Sequence, residues 1–422
     1  MSHLNIAAII FIAAYALFAV LPEKRTLVAV VAASLTVFLG VISPKEAFWA
    51  VNWNVMGIFV GTLVVAEMFM ESRVPAYLAE IIVNKISNAA WVLLFICALT
   101  GVISAFVENV ATVLIVAPIA LSLSKRLKMN PVKIMIAIAI SSNLQGAATL
   151  IGDPPSMLLA GAAKMNFIDF FFFKGKPSIF FAVELGAIAS CMVLYLIFRK
   201  QKEKPAKITV EKIKTWFPTG VLIGLILILA GTSFLDTDFS YMAGAVSMLA
   251  AAVCFAWAVF EKKMPLVKGI KALDWDTTFF LGAVFIIVGA VTRAGWINIM
   301  AENLARVIGG NLFMGYTLLV IVAVLVSAVV DNVPFLAAML PVAISVSEKI
   351  GAPPYLLLFG LLIGASLGGN ITPIGASANI VACGLLKKEG YNVTFPEFMK
   401  IGVPFTLAAV SAGYIFLWMV WR

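Results

Sequence analysis

Between Ser327 and Asn379 the chain sets a carboxylate, several amides, paired glycines and a proline inside a run otherwise apolar enough to lie in lipid. The stretch carries VVDNVPFLAAMLP and, after a long apolar passage, SLGGNITPIGASAN. A plain spanning helix does not accommodate that mixture. A charge at the bilayer centre costs about 2.5–3.5 kcal/mol, and each backbone group without a partner adds several more. Residues of these types at this depth need partners, a cavity or a ligand.

The same arrangement occurs earlier. From Ser104 the chain reads SAFVENVATVLIVAP and then SSNLQGAATLIGDPPSM, and a shift of about 223 positions superimposes the two stretches without a gap. Glu108 falls on Asp331, Asn109 on Asn332 and Pro118 on Pro341; further on, Asn143 falls on Ser366, Gly146 on Gly369, Thr149 on Thr372 and Gly152 on Gly375. Trp53 and Asn54 recur as Trp275 and Asp276, one position off the same shift. Rare polar residues at constant spacing mark an internal duplication of the inverted-transporter kind.

The apolar runs extend for about 17–22 residues, the length of a membrane-spanning helix, and do not alternate as barrel strands would. With 63% hydrophobic residues, 12% charged residues and a mean hydropathy of +1.07 over 422 residues, an ordinary soluble domain is excluded. The fold class expected is an all-α polytopic membrane protein. The first apolar run, Ile6 to Val20, is followed rather than preceded by charges, Glu23, Lys24 and Arg25, the reverse of a cleavable signal, and is kept as a span. Cys97, Cys191, Cys254 and Cys383 lie inside apolar segments without paired or metal-ligand spacing and read as small buried hydrophobes. The sole histidine is His3, so no histidine-based metal site or triad is expected. No cofactor is expected, and without a Gly-Lys-Ser/Thr loop no ATP-driven step within the chain.

Two inverted repeats of five spans account for the pattern, each with a re-entrant hairpin and a broken helix. The first repeat covers residues 1–198, with its hairpin at about 89–124 and its broken helix at about 132–163. Residues 199–214, RKQKEKPAKITVEKIK, form a solvated basic linker, and the second repeat covers 215–422, with a hairpin at about 312–348 and a broken helix at about 354–386. An odd number of spans inverts the second half relative to the first. With both termini on one face, most Lys and Arg fall on the other, which is then cytoplasmic by the positive-inside rule. The net charge of +9 therefore reports topology, with membrane lipid as the surroundings and no nucleic acid as partner.

The interruptions GAATLIGDPPS and GGNITPIGASAN combine glycines that permit tight backbone with prolines that cannot continue a helix. Glu108 and Asp331 sit at equivalent hairpin tips, and a pseudo-twofold axis is expected to bring them near one another or near a shared site. A carboxylate at that depth suits a proton carrier or cation ligand; capping a half-helix N-terminus is the plainer alternative. Asp153, with Ala376 opposite it in the repeat, is open to the same two readings. Asn109, Thr149, Asn332, Asn370, Thr372, Ser377 and Asn379 supply neutral donors and acceptors suited to a hydroxylated ligand or to sharing in a Na+ site. An intramembrane aspartyl protease using Asp153 and Asp331 is disfavoured because these acids sit in LIGD and VVDN contexts, so no enzyme is expected.

ENVATVLIVAP and DNVPFLAAMLP, together with SSNLQGAATLIGDPPS and SLGGNITPIGASAN, resemble the ion transporter superfamily, and within it the arsenite-antimonite efflux permease branch, which also contains the melanosomal P protein. The likeness covers roughly residues 47–400. It implies the inverted-repeat fold, often as a homodimer, and secondary transport across the cell inner membrane. In anion-symporting members each hairpin tip carries Ser-Asn-Thr, where this chain has Glu108, Asn109, Val110 and Asp331, Asn332, Val333. Exchanging hydroxyls for acids argues against a dicarboxylate and fits neutral arsenite or antimonite exchanged for protons. Na+/H+ antiport by the same acids is the alternative, and a separate ATPase subunit stays compatible with either.

Overall fold

In this computed structural model the described residues are 2–201, 210, 212–261 and 273–422. Most of the basic linker, at 202–209 and 211, and the Lys262–Lys263 pair lie outside them. The fold is all-helical apart from a two-stranded hairpin, β1 at Phe172–Phe173 and β2 at Lys176–Pro177.

The first half runs α1 (His3–Val20), α2 (Arg25–Phe38), α3 (Pro44–Ala50), α4 (Trp53–Glu71), α5 (Val74–Lys85), α6 (Ala89–Ser104), α7 (Asn109–Arg126), α8 (Val132–Gly146), α9 (Pro154–Ala163) and α10 (Ile179–Phe198). The second runs α11 (Phe217–Thr232), α12 (Met242–Phe260), α13 (Trp275–Arg293), α14 (Trp296–Ile308), α15 (Leu312–Ser327), α16 (Asn332–Ile350), α17 (Tyr355–Gly368), α18 (Ser377–Lys388) and α19 (Phe395–Trp421). Among the described residues eight helices are long and apolar enough to cross a membrane. The helix ends carry their own signals. Asn52, Asn88 and Asn311 cap α4, α6 and α15 through side-chain oxygens, and Ser43 with Glu46 closes a capping box on α3. Gly309 and Gly351 end α14 and α16 in left-handed conformation.

The halves interlock by exchange. α4 packs on α12 of the other half, and α2 packs on α13; likewise α9 packs on α16 and α17, and α18 on α7 and α8. Each contact thus has its counterpart with the halves swapped. In lipid the drive for such contacts is close packing and internal hydrogen bonding rather than burial of apolar area. At the α4–α12 crossing a Cβ on Gly61 would stand 2.5 Å from the Ser247 carbonyl oxygen, so glycine alone permits this approach. Asn54 fastens the same crossing: its side-chain oxygen accepts from Gly244 N at 2.7 Å and its amide donates to Phe239 O at 3.0 Å.

α10 and α19, which occupy matching places in the two halves, lie against each other. Gly186 meets Ala409 and Gly413 meets Ala182, while Trp421 at the end of α19 donates to Pro177 O in β2, just ahead of α10, at 3.0 Å. The two helices are therefore antiparallel, the relation an inverted duplication requires. Gly186 and Ala409 are themselves partners under the 223-residue shift. The outward faces remain apolar, with Ile12, Phe38, Trp49, Ile188, Leu227 and Phe260 all exposed. Cys191 belongs to that face. It is exposed and Cys383 is half-buried, against the expectation of four buried thiols, whereas Cys97 and Cys254 are buried.

Candidate functional site

Each half builds its share of the site from a hairpin tip and a helix break. In the first, α6 ends at Ser104 and α7 restarts at Asn109, with the Glu108 carboxylate accepting from Ala111 N at 3.0 Å as N-cap. In the second, Asp331 accepts from Val333 N at 3.0 Å at the start of α16. α8 stops at Gly146 and α9 begins at Pro154; α17 stops at Gly368, and a 3-10 turn at Gly369–Ile371 leads toward α18. Pro154 and Pro155 start α9 where a missing N–H does no harm.

Tip and break are tied in the same way in both halves. The Thr149 hydroxyl donates to Ala105 O, and the Thr372 hydroxyl donates to Ala328 O at 2.5 Å. Gly152 lies on Gly146 O as Gly375 lies on Gly369 O, too close for any Cβ. Ser156 Oγ donates to Gly146 O at 3.3 Å, and the matching Asn379 Nδ2 donates to Gly369 O at 2.9 Å. These bonds hold the hairpin tips at the depth where the broken helices part. Thr149 and Thr372 thereby commit their protons, leaving lone pairs alone for any ligand.

The two breaks meet through amides. Asn109 Nδ2 donates to Asn143 Oδ1 at 3.3 Å, and Asn143 Nδ2 donates to both Asn370 Oδ1 and Asn379 Oδ1 at 2.9 Å. Ser104 Oγ donates to Asn109 Oδ1 at 3.1 Å, with Ser142 bonded to both Ser104 and Asn109. Asn370 closes the network on Ile140 O and Asn379 on Thr372 O. All of these side chains are buried, and such a network costs heavily if one member is removed. Of the residues singled out from sequence, Asn109, Asn370 and Asn379 therefore come together. Asn143, with Ser104 and Ser142, joins them unforeseen. Asn332 is half-buried and makes no side-chain hydrogen bond among the described residues.

The acids separate. Glu108 and Asp153 line one small cavity of about 10 Å³, with Phe59, Thr62, Leu63, Ile151 and Met157 completing its wall. That is about the room one water requires. Asp153 Oδ1 accepts from Ser156 N at 2.9 Å and so caps α9, while its Oδ2 is buried with no partner. Of the two sequence alternatives for Asp153, the structure shows the helix cap. Asp331 instead forms an ion pair with Arg25 at the start of α2, whose Nη1 also lies 3.3 Å from Ser377 Oγ. The Arg25 guanidinium stands over the Phe280 ring at 5.0 Å, and the tip is further held by Tyr15, whose hydroxyl donates to Pro334 O at 2.6 Å.

No interaction joins Glu108 to Asp331 among the described residues. Each tip folds onto the break of its own half, and the amide bridge stands where the halves meet. Arg25 escaped sequence reading because Glu23, Lys24 and Arg25 together look like the charged edge of a first span.

Comparison with known proteins agrees with this architecture. The chain is 30% identical to the 46 kDa membrane protein of Mycobacterium leprae over 98% of both chains. It is 24% identical to the human P protein over 99% of this chain and 60% of that protein. Among solved structures it resembles the MtrF efflux pump of Neisseria gonorrhoeae with a TM-score of 0.59 at 11% identity, covering 99% of this chain and 94% of that one, a likeness of fold. The sequence profile of the citrate transporter family, CitMHS, matches residues 15–262 and again 242–422, so the whole length from the first span onward is accounted for, and the chain belongs to that family of membrane transporters.

Proposed function

We propose that the chain is a secondary active transporter that exports arsenite or antimonite in exchange for protons, with Glu108 and Asp153 as the coupling site. The observation that carries this reading is the second oxygen of Asp153, buried without a partner in a cavity it shares with Glu108. The caps to Ala111 N and Ser156 N offset part of the cost of these acids and leave Asp153 Oδ2 open, and an intramembrane acid in that state is functional by default. A proton entering the cavity neutralises one carboxylate, and its departure restores the charge. The amides of Asn109, Asn370 and Asn379, with the hydroxyl lone pairs of Thr149 and Thr372, offer a neutral lining for a trihydroxylated ligand once the halves part. Asn332 and Ser377 extend that lining on the second side.

The family's description names citrate. Two carboxylates in one cavity repel a free tricarboxylate, which favours a neutral or cationic cargo here. Na+/H+ antiport is the second reading, favoured by the side-chain oxygens that Glu108, Asp153 and Thr62 bring to one cavity. By the positive-inside rule the linker faces the cytoplasm and both termini the outside of an inner membrane.

Everted membrane vesicles from a host expressing the chain test these readings. After the lumen is acidified, arsenite is expected to dissipate the pH gradient, and citrate is not. Dissipation by Na+ alone installs the antiport reading. With normal expression, a gradient indifferent to arsenite, antimonite and Na+ overturns both.

A further inference from the structure

The two hairpin tips are matched in backbone and opposite in electrostatics. The first presents two carboxylates, Glu108 and Asp153, and among the described residues no cation pairs with either. The second presents one carboxylate, Asp331, with Ala376 where Asp153 has its counterpart, and a guanidinium in ion-pair contact with it. The cation comes from the other half of the chain, 306 residues away.

The interlocking of the halves defines what stands in the corresponding place at the first tip. The Thr26 hydroxyl donates to Asp276 O where α2 meets α13, Gly244 N donates to Asn54 Oδ1 where α12 meets α4, and Asp276 and Asn54 are partners in the repeat. The counterpart of Arg25 therefore lies at the entry to α12, where Tyr241, Met242 and Ala243 supply no charge. Arg25 is itself a built feature. Its side chain is 20% exposed, the Asp331 side chain 19%, and its guanidinium is held by Asp331, the Ser377 hydroxyl and the Phe280 ring face. The planar guanidinium presents its donors in a fixed fork that matches a carboxylate.

The geometry points to Arg25 as a tethered counter-ion that fills the cation place of the second tip, so that the second half exchanges no free cation and ion coupling is confined to Glu108 and Asp153. Net charge at the second tip is zero with no ion bound, whereas the first tip needs a proton or a cation to reach a similar state. The two copies of the module thus differ in which of them is left to take up an ion. Arg25 is a positioning and stoichiometry-setting residue. The inference rests on the reading of Glu108 and Asp153 as the coupling site, but the cation place itself is testable without any transport.

The test is chemical rescue in the purified full-length chain. Replacing Arg25→Ala empties the place and leaves Asp331 without its partner, and low-millimolar guanidinium chloride is then expected to raise the melting temperature saturably. Choline chloride at equal ionic strength is not. Wild type, Arg25→Lys and the Arg25→Ala/Asp331→Asn double variant are expected to show no such shift. An equal response in all four proteins, or none in Arg25→Ala, overturns the assignment. Should Arg25→Ala not fold, the Arg25→Gln/Asp331→Asn double variant decides: its recovery as folded protein supports the charge pairing, and its failure makes Arg25 a packing element and removes the proposal. In vesicles, Arg25→Ala is expected to lose arsenite-driven proton exchange and regain it with guanidinium. If wild type exchanges no protons for arsenite, the transport reading falls while the melting shift still reports the cation place.

Discussion

The first and second hairpin tips descend from one module and have diverged in what they do with charge. Both cap the helix that follows with an acid, and both anchor a threonine of the break to the turn before that acid. Beyond those shared bonds, the first tip keeps its acids in a cavity with an oxygen left open, and the second neutralises its acid internally. Backbone geometry is thus set by the features held in common, and chemistry by the few positions that differ. Glu108, Asp153 and Arg25 account for most of that difference, and their substitution is the direct way to break the comparison.

The largest effect is expected at the open pair. Glu108→Gln and Asp153→Asn preserve shape and remove the titrating group, and each should reduce arsenite-driven proton exchange in everted vesicles by more than about tenfold, equivalent to about 1.4 kcal/mol. The neutral double variant Arg25→Gln/Asp331→Asn should keep most of that exchange. If the double variant loses exchange and Glu108→Gln retains it, the functional asymmetry of the tips has been assigned the wrong way round.

Next comes the bridge between the halves. Asn143→Ala removes the donor shared by Asn370 and Asn379 and leaves buried acceptors without partners, at about 1–3 kcal/mol for each. Its counterpart Ser366 is buried with an unpartnered hydroxyl, so Ser366→Ala should be close to neutral. Thermal unfolding of the two variants side by side sharpens the comparison: a similar loss in both would mean that the amide bridge contributes nothing particular to the first half.

The spans and the 223-residue register were legible because apolar run length and repeated polar spacing both survive in the letters themselves. The N-cap character of Glu108, Asp153 and Asp331 was legible as well, since acids ahead of helix starts offer acceptors to free N–H groups. Arg25 was not, because its role depends on α2 lying against the other half, and nothing within ten residues of it announces Asp331. Asn143 stood in plain view as the match of Ser366, yet the extra reach of an amide over a hydroxyl matters only once the two breaks face each other. Thr149 and Thr372 read as ligand hydroxyls, and the bonds to Ala105 and Ala328 that take up their protons arise from a turn distant in sequence.

Where the halves are alike, substitutions should act alike. Gly152→Ala and Gly375→Ala each drive a methyl into the carbonyl of the preceding helix end, Gly146 O or Gly369 O, and should destabilise by about 1–3 kcal/mol. Equal losses on thermal unfolding support a shared scaffold beneath divergent chemistry. A difference of more than about 1.4 kcal/mol, tenfold in an equilibrium constant, would break that equivalence and extend the asymmetry to the backbone.

The smallest effect is expected outside the spans, at the entry to α12. Asp236 gathers three backbone donors there, Ser240 N at 2.8 Å, Tyr241 N at 3.0 Å and Met242 N at 2.9 Å, and its own carbonyl accepts from Asn166 at 2.5 Å. Burial alone would raise the Asp236 carboxyl, but the three backbone N–H groups and the Ser240 hydroxyl together outweigh it and hold the group below the usual carboxylate range. A depressed folded-state value means that the stabilisation is fully present above the unfolded-state value near 3.9 and disappears as pH falls through the folded value. Asp236→Ala should therefore destabilise by about 0.5–2 kcal/mol at neutral pH, and its melting curve should converge on that of wild type only under strong acid. A gap between the two curves that stays constant from neutral pH to well below pH 3 would place the contribution of Asp236 in packing rather than in its charge, and would leave the start of α12, where the first tip lacks its arginine, held by shape alone.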